Sequence, residues 1–305
     1  MTPRQLDGFD ANTLSAGELE AVFVPGAGMI GASLRHRGEE LLGQRAGLRS
    51  YAESGKTMGI PLLHPWANRL SGDDFRAGTD RVDLPPEAPG MRREENGLPI
   101  HGLLAGSPDW RVTRAEPTRL TASLDFAARP ERLALFPFPH TLTVTATLDP
   151  GVLRVETRLA ATGVASVPIS FGWHPYLQLP GIPRAQWTVE LPARRHLLTD
   201  DRGIPTGQTE PAPPRTGPLG EATFDDGYDE LAEPLMVLRG GGRRLGVRLV
   251  AGYPFTQVFA PLEHDLVAFE PMTAPTDALR SGRRLRTVLP GEAFAATFAI
   301  EVSKE

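Results

Sequence analysis

Residues His140-Thr141-Leu142-Thr143-Val144-Thr145-Ala146-Thr147-Leu148 alternate polar and apolar side chains without a break. Leu142, Val144, Ala146 and Leu148 fall on one side, and the four threonines fall on the other. A period of two in residues that favour extended backbone is the pattern of a strand with one face buried. The run stops at Asp149-Pro150-Gly151, where proline presets one turn dihedral and glycine accepts a positive one. Leu153, Val155 and Leu159 then alternate with Arg154, Glu156 and Arg158. Two alternating runs around a three-residue turn predict an antiparallel hairpin.

The same pattern extends outward. Short apolar-rich runs bounded by turn residues lie at 19–24, 29–35, 110–114, 120–126, 245–249, 255–259 and 293–300. The chain has 32 glycines and 30 prolines in 305 residues, about a fifth, against a usual share of about 12%. Both residues disrupt helix interiors. The longest stretch free of them is 292–305, followed by 118–129 and 152–162. Long helices therefore have nowhere to sit, which excludes helical bundles, alternating strand–helix barrels and doubly wound sheets. The expected class is all-β, a sandwich of antiparallel sheets. The proline-dense stretch 205–220 reads as a surface loop, and strand-like patterning on both sides of it predicts one domain over 1–305.

Composition narrows the function. A net charge of −5 gives no electrostatic footprint for nucleic acid or an anionic membrane. The absence of cysteine excludes disulfides, thiolate metal sites and a cysteine nucleophile. Lys56 and Lys304 are the only lysines beside 30 arginines, which removes Schiff-base chemistry. No apolar run reaches membrane-spanning length and the N-terminus lacks a signal core. The expectation is a cytoplasmic, soluble monomer or homodimer without nucleic-acid or membrane partners.

One glycine cluster invites a false reading. Gly26-Ala27-Gly28-Met29-Ile30-Gly31 fits G-x-G-x-x-G after a strand-like run. A dinucleotide site needs a helix opening at that loop and an acidic residue about 20 positions on. Here strand-like residues follow and Glu39-Glu40 comes too early, so the cluster reads as hairpin glycine.

Polar residues among apolar or aromatic neighbours mark the candidate chemistry. They stand in His64-Pro65-Trp66-Ala67-Asn68-Arg69-Leu70, in Asn96-Gly97-Leu98-Pro99-Ile100-His101-Gly102, in Phe171-Gly172-Trp173-His174-Pro175-Tyr176, and in Phe269-Glu270-Pro271-Met272-Thr273-Ala274-Pro275. Singly, each has an ordinary structural reading. The histidines serve as hydrogen-bonded loop anchors, Glu270 as a solvated strand end, Arg69 as a surface cation, and the aromatics as packing. A metal site from His101, His174 and Glu270 is disfavoured because no two of these ligands are close in sequence.

As an ordered set, Asn68-Arg69, His101-Gly102, His174-Pro175-Tyr176, Phe224-Asp225, Gln257 and Glu270-Pro271 resemble the motifs of the aldose 1-epimerase (galactose mutarotase) family over nearly the whole chain. The resemblance implies a large twisted antiparallel β-sandwich and cofactor-free, metal-free interconversion of the α and β anomers of a free aldose. It implies Glu270 as general base on the anomeric hydroxyl, His174 as an imidazolium acid at the ring oxygen, and His101 as a hydrogen-bonding assistant. Asn68, Arg69, Tyr176, Asp225 and Gln257 would hold the sugar hydroxyls, with Trp66 and Trp173 as candidate covers for its apolar face. An acid–base pair predicts a bell-shaped pH dependence.

The sequence departs from the galactose-specific pattern around the hydroxyl-reading residues. His64-Pro65-Trp66 precedes Asn68-Arg69, proline follows His174, and Asp226-Gly227 follows Asp225. Two other readings compete. A hexose-6-phosphate mutarotase needs clustered cations. Leu103-Leu104-Ala105-Gly106 supplies none after the His-Gly pair, although Arg92-Arg93 lie nearby in sequence, so an unphosphorylated sugar is favoured. A non-catalytic sugar-binding protein on the same fold would need neither Glu270 nor His174 as proton carriers.

Overall fold

The computed structural model describes residues 4–304. The strand that decides the sequence reading, His140–Asp149, buries every second residue from His140 to Leu148. It pairs antiparallel with Val152–Ala161, in a register that sets Leu148 opposite Leu153 and Asp149 opposite Val152. The loop is therefore two residues, Pro150 and Gly151, not the expected three, and Gly151 takes a φ of +77°. Asp149 stays in the ladder because glycine alone absorbs the left-handed conformation.

This hairpin sits in a nine-stranded sheet. From one edge to the other its strands are Arg215–Pro218, Thr188–Leu191, Leu235–Gly240, Arg243–Ala251, Ala293–Lys304, Val152–Ala161, His140–Asp149, Arg119–Asp125 and Arg111–Glu116. The central strand, Ala293–Lys304, lies in the longest stretch free of glycine and proline. A second sheet runs from Pro205–Ala212 through Arg194–Thr199, Phe224–Asp229, Phe255–Ala260, Val267–Met272 and Gly172–Trp173 to Leu62–Leu63. A five-stranded sheet holds the N-terminal strands from Arg4–Leu6 to Glu39–Glu40. Every paired strand is antiparallel to its neighbour, as an all-β sandwich requires.

The two large sheets share one apolar cluster. Leu153, Val155, Val247, Phe298 and Ile300 come from the first, and Val258, Val267 and Phe269 from the second. Each large side chain so buried contributes about 1.5–3 kcal/mol, and the strand periodicity read from sequence is what aims it inward.

Two expectations are corrected. The stretch 205–220 is not a loop but contains the strands Pro205–Ala212 and Arg215–Pro218. Each is the edge strand of its sheet, and an edge is where a missing proline N–H leaves no ladder bond unmade. Glu270 does not close a strand but lies inside Val267–Met272, all of whose residues are buried. The glycine cluster behaves as expected: Pro25–Ala27 forms a single tight turn between Leu19–Val24 and Ile30–His36, which pair antiparallel. The longest helix, Gly47–Ser54, has 8 residues. No helix among the described residues is long and apolar enough to cross a membrane.

Candidate active site

Strand register gathers the first part of the site. Gln257 lies directly opposite Glu270, Gly227 opposite Gln257, and Asp225 opposite Phe259. Directly opposed residues, and residues two apart, share a face. Asp225, Gln257, Phe259 and Glu270 thus stand on one face of the second sheet, while Val258, Val267 and Phe269 point into the core. Tyr176 joins them opposite Ala268. Gly227 keeps the ledge open, because a Cβ there would stand 3.2 Å from the Gln257 amide oxygen.

Loops bring the remaining residues to this face, held by backbone bonds. His101 N–H donates to the Asn68 carbonyl (3.1 Å), Leu70 N–H to Pro99 (2.9 Å) and Leu103 N–H to His64 (2.7 Å). Asn68 and His101 both have positive φ, +55° and +62°, a conformation uncommon outside glycine but more open to asparagine and histidine than to most residues. Gly102 has no alternative: with φ +71°, a Cβ would lie 2.1 Å from the His64 carbonyl oxygen. On the other side His174 N–H donates to Pro61 (3.1 Å) and Tyr176 N–H to Gly59 (2.9 Å). Asp277 N–H donates to the Arg69 carbonyl (3.1 Å), so the chain beyond Glu270 is tied to the Asn68-Arg69 segment.

His174 and Glu270 meet at the centre. Nε2 of His174 lies 3.0 Å from Oε1 of Glu270, and the two side chains are only 5% and 1% exposed. The His101 ring stands edge-on to His174 at 5.7 Å. Burial raises the Glu270 pKa well above the ordinary carboxylate value, with the Asp225 charge adding to the effect and Arg69 opposing it. Burial likewise pulls His174 down to about 3, reinforced by the charges of Arg45 and Arg92. His101 is held neutral by burial first, and then by His174 and the surrounding arginines. Both shifts favour the neutral forms, a protonated Glu270 carboxyl facing an unprotonated Nε2 of His174. The neutral forms follow from burial, since an isolated buried cation loses too much hydration.

Around the pair, Arg69 donates to Asp225 (3.0 Å) and Gln257 donates to the other Asp225 oxygen (2.8 Å). The Arg69 side chain is 19% exposed and that of Asp225 43%, so this cluster faces outward from the sealed pair. Asn68 is buried, with its amide donating to the Met272 sulfur at 3.6 Å. Oε2 of Glu270 and Nδ1 of His101 are buried and have no hydrogen-bond partner among the described residues. Buried polar atoms without partners are unusual in folded proteins, and a ligand hydroxyl is one way to satisfy them.

Tyr176 is placed differently from Asp225 and Gln257. Its ring stacks on His174 at 4.1 Å, and its hydroxyl is engaged by Thr57 and accepts from Arg45 (3.0 Å). The two tryptophans do not reach the site. Trp173 packs on Phe298 and donates its indole N–H to Thr157 (3.0 Å), and Trp66 is fully buried in the core. Large rings on the inward-facing side of a strand are worth most in the core. The ring that does lie on this face is Phe259: partly exposed and beside Asp225 in the sheet, it stands edge-on to His174 at 5.6 Å. Sequence reasoning missed Phe259, Thr57 and Arg45. Their only local signal was an apolar run for Phe259 and nothing distinctive for the other two.

Comparison with known proteins agrees with this architecture. The family model described as aldose 1-epimerase matches residues 10–301. No curated protein matches the chain by sequence. Among solved structures, a galactose mutarotase-like protein from Clostridium acetobutylicum superposes with a TM-score of 0.84 at 16% identity, covering 100% of this chain and 98% of its own. A galactose mutarotase related enzyme from Lactobacillus acidophilus gives 0.79 at 18% identity, with 96% and 97% covered. Galactose 1-epimerase from Lactobacillus acidophilus NCFM gives 0.74 at 16% identity, with 99% and 97% covered. At these identities the superpositions speak for the fold, and the family match extends over nearly the whole chain: this protein belongs to the aldose 1-epimerase family.

Proposed function

We propose that the protein is an isomerase that interconverts the α and β anomers of a free aldose, that is, one whose anomeric hydroxyl is unsubstituted. The observation that carries this reading is the buried contact between Glu270 and His174 at 3.0 Å. Ring opening removes a proton from the anomeric hydroxyl and delivers one to the ring oxygen; closure on the other face reverses both transfers. A carboxylate and an imidazolium do this together. The pair reaches that state without taking up or releasing a proton, by passing its proton from Oε1 of Glu270 to Nε2 of His174 once sugar hydroxyls solvate the developing charges. Glu270 then accepts the anomeric proton and His174 donates to the ring oxygen, and the roles exchange on closure.

The surrounding groups fit a sugar. Arg69, Asp225 and Gln257 offer donors and acceptors to vicinal hydroxyls, Phe259 supplies an apolar ring edge, and His101 directs a neutral imidazole at the ring or anomeric oxygen. Asn68 positions His101 through its backbone carbonyl. A pure sugar-binding protein needs hydroxyl readers but gains nothing from two buried proton carriers, whose desolvation is costly.

Polarimetry on freshly dissolved α-glucose and α-galactose tests the proposal. Wild type is expected to speed relaxation to the anomeric equilibrium, and Glu270→Gln to lose that effect. If wild-type protein leaves every aldose of a broad panel at the uncatalysed rate while still binding one, the protein is a sugar binder instead.

A further inference from the structure

Among the described residues, Arg45 and Arg92 stand beside the acid–base pair without acidic partners. The other arginines near the cleft are matched: Arg69 by Asp225 and Glu94, and Arg93 by Asp73 and two backbone carbonyls. Arg45 has only hydroxyl partners, Tyr176 at 3.0 Å and Thr57 at 3.4 Å, and its guanidinium lies 5.1 Å from the centre of the Tyr176 ring. That ring stacks directly on His174. Arg92 is held from the other direction: its carbonyl accepts from Ile100 N–H at 2.9 Å, one residue before His101. Its guanidinium crosses Gly55, where a Cβ would stand 2.5 Å from Nε. Nη1 of Arg92 is buried with no hydrogen-bond partner among the described residues.

The two cations address one partner of the pair. The Arg45 and Arg92 charges act on His174, whereas the Asp225 and Arg69 charges act on Glu270. If His174 serves the ring oxygen, as the proposed function has it, the neighbouring ring carbon of a hexopyranose is the one that bears the exocyclic carbon. A substituent there projects on the His174 side. We propose that Arg45 and Arg92 form an anion-binding subsite for the exocyclic group of the sugar, so that the substrate is an aldose carrying a phosphate ester or a carboxylate at that position.

The half-buried Arg92 guanidinium loses hydration without a counter-charge and is repelled by the exposed Arg45 beside it, a cost that an arriving anion removes. Planar forks also suit both phosphate and carboxylate oxygens. The inference rests on the mutarotase reading, and it reverses the sequence-based preference for an unphosphorylated sugar. That preference looked for a cation just after His101-Gly102; the fold supplies two from elsewhere.

Anomerisation of glucose, glucose 6-phosphate and glucuronate by saturation-transfer NMR tests the subsite. For wild type, kcat/KM is expected to be at least about tenfold higher for one anionic sugar than for glucose, and the better of the two identifies the anion. Added salt should raise KM for the anionic sugar and not for glucose, a readout that needs no variant. Arg45→Gln and Arg92→Gln should each lose about tenfold more kcat/KM toward the anionic sugar than toward glucose, with Arg92→Lys recovering part of the loss. Equal or better turnover of glucose, or equal losses on both sugars, would overturn the proposal. If no aldose is turned over, the mutarotase reading fails separately. Calorimetric titration of wild type with the same three sugars then decides the subsite: tighter binding of an anionic sugar supports it, and equal or absent binding sinks it.

Discussion

In the proposed reaction Glu270 and His174 work as a unit, because one proton serves both. Replacing either is expected to lower kcat by about 10²–10⁴-fold, the usual contribution of a positioned acid or base. Glu270→Gln combined with His174→Asn should cost little more than one change alone, since residues acting together are not additive; polarimetric kcat values for the four proteins check this. The same single proton shapes the pH dependence. Burial pulls His174 down to about 3 and raises Glu270, so the bell should have a broad top. Activity falls in acid only when a second proton enters the pair, and falls in alkali when the shared one leaves. A kcat/KM profile with a limb centred near pH 6.5, the ordinary histidine value, would show that His174 titrates as a solvated group and that the pair is not coupled. At this scale the sequence was informative about chemistry and silent about surroundings. Glu270, His174, His101 and Asp225 are recognisable by type and order. Arg45, Thr57 and Phe259 become relevant only through Tyr176 and His174, more than 80 positions away from each of them.

Strands and turns decide whether these groups meet. Gly102 shows how little freedom the loops have. Gly102→Ala would drive a Cβ to 2.1 Å from the His64 carbonyl at a φ of +71°. Backbone strain of this kind costs of order 1–3 kcal/mol before the clash is counted. The expected outcome is a lower thermal midpoint together with lost activity, since His101 shares the displaced turn; a variant as stable and active as wild type would refute the tight contact. In the hairpin of strands His140–Asp149 and Val152–Ala161, Leu142 is fully buried. Leu142→Ala should destabilise by about 2–5 kcal/mol in urea unfolding, the range for a truncated core leucine. Thr143→Ala, on the half-exposed face of the same strand, should cost less than about 1 kcal/mol. Periodicity exposed these elements plainly, because burial of one face leaves its mark on every second residue. It failed at 205–220, where prolines spell loop but sit on strand edges, a distinction set by neighbours and not by local preference.

Across the whole molecule, a second histidine pair lies inside the core and plays no part in the proposed chemistry. His140 Nδ1 faces the Phe138 carbonyl (2.6 Å), so it carries that proton and donates. Its Nε2 then accepts from Nε2 of His64 (2.8 Å), and the His140 ring stacks on Phe126. Burial holds His64 well below the ordinary histidine value and His140 at about 4. Both are neutral in the fold and protonate more readily in the unfolded chain. Their stabilising contribution is complete above about pH 6.5 and is lost as pH falls toward the folded values. The urea midpoint is expected to hold between pH 8 and 7 and to drop markedly by pH 5; a midpoint unchanged down to pH 5 would mean the pair is not buried neutral. The class of fold and the kinds of group available for chemistry were legible in the chain alone. Alternation, turn residues and scarce helix-compatible stretches are local properties of the chain, and side-chain type sets what a group can donate or accept. Which of those groups touch, which lose their water and which charges stay unpaired emerged with the fold. Proton affinity and anion binding depend on burial and distance, and for His174, Glu270, Arg45 and Arg92 both are set by segments far apart in the chain.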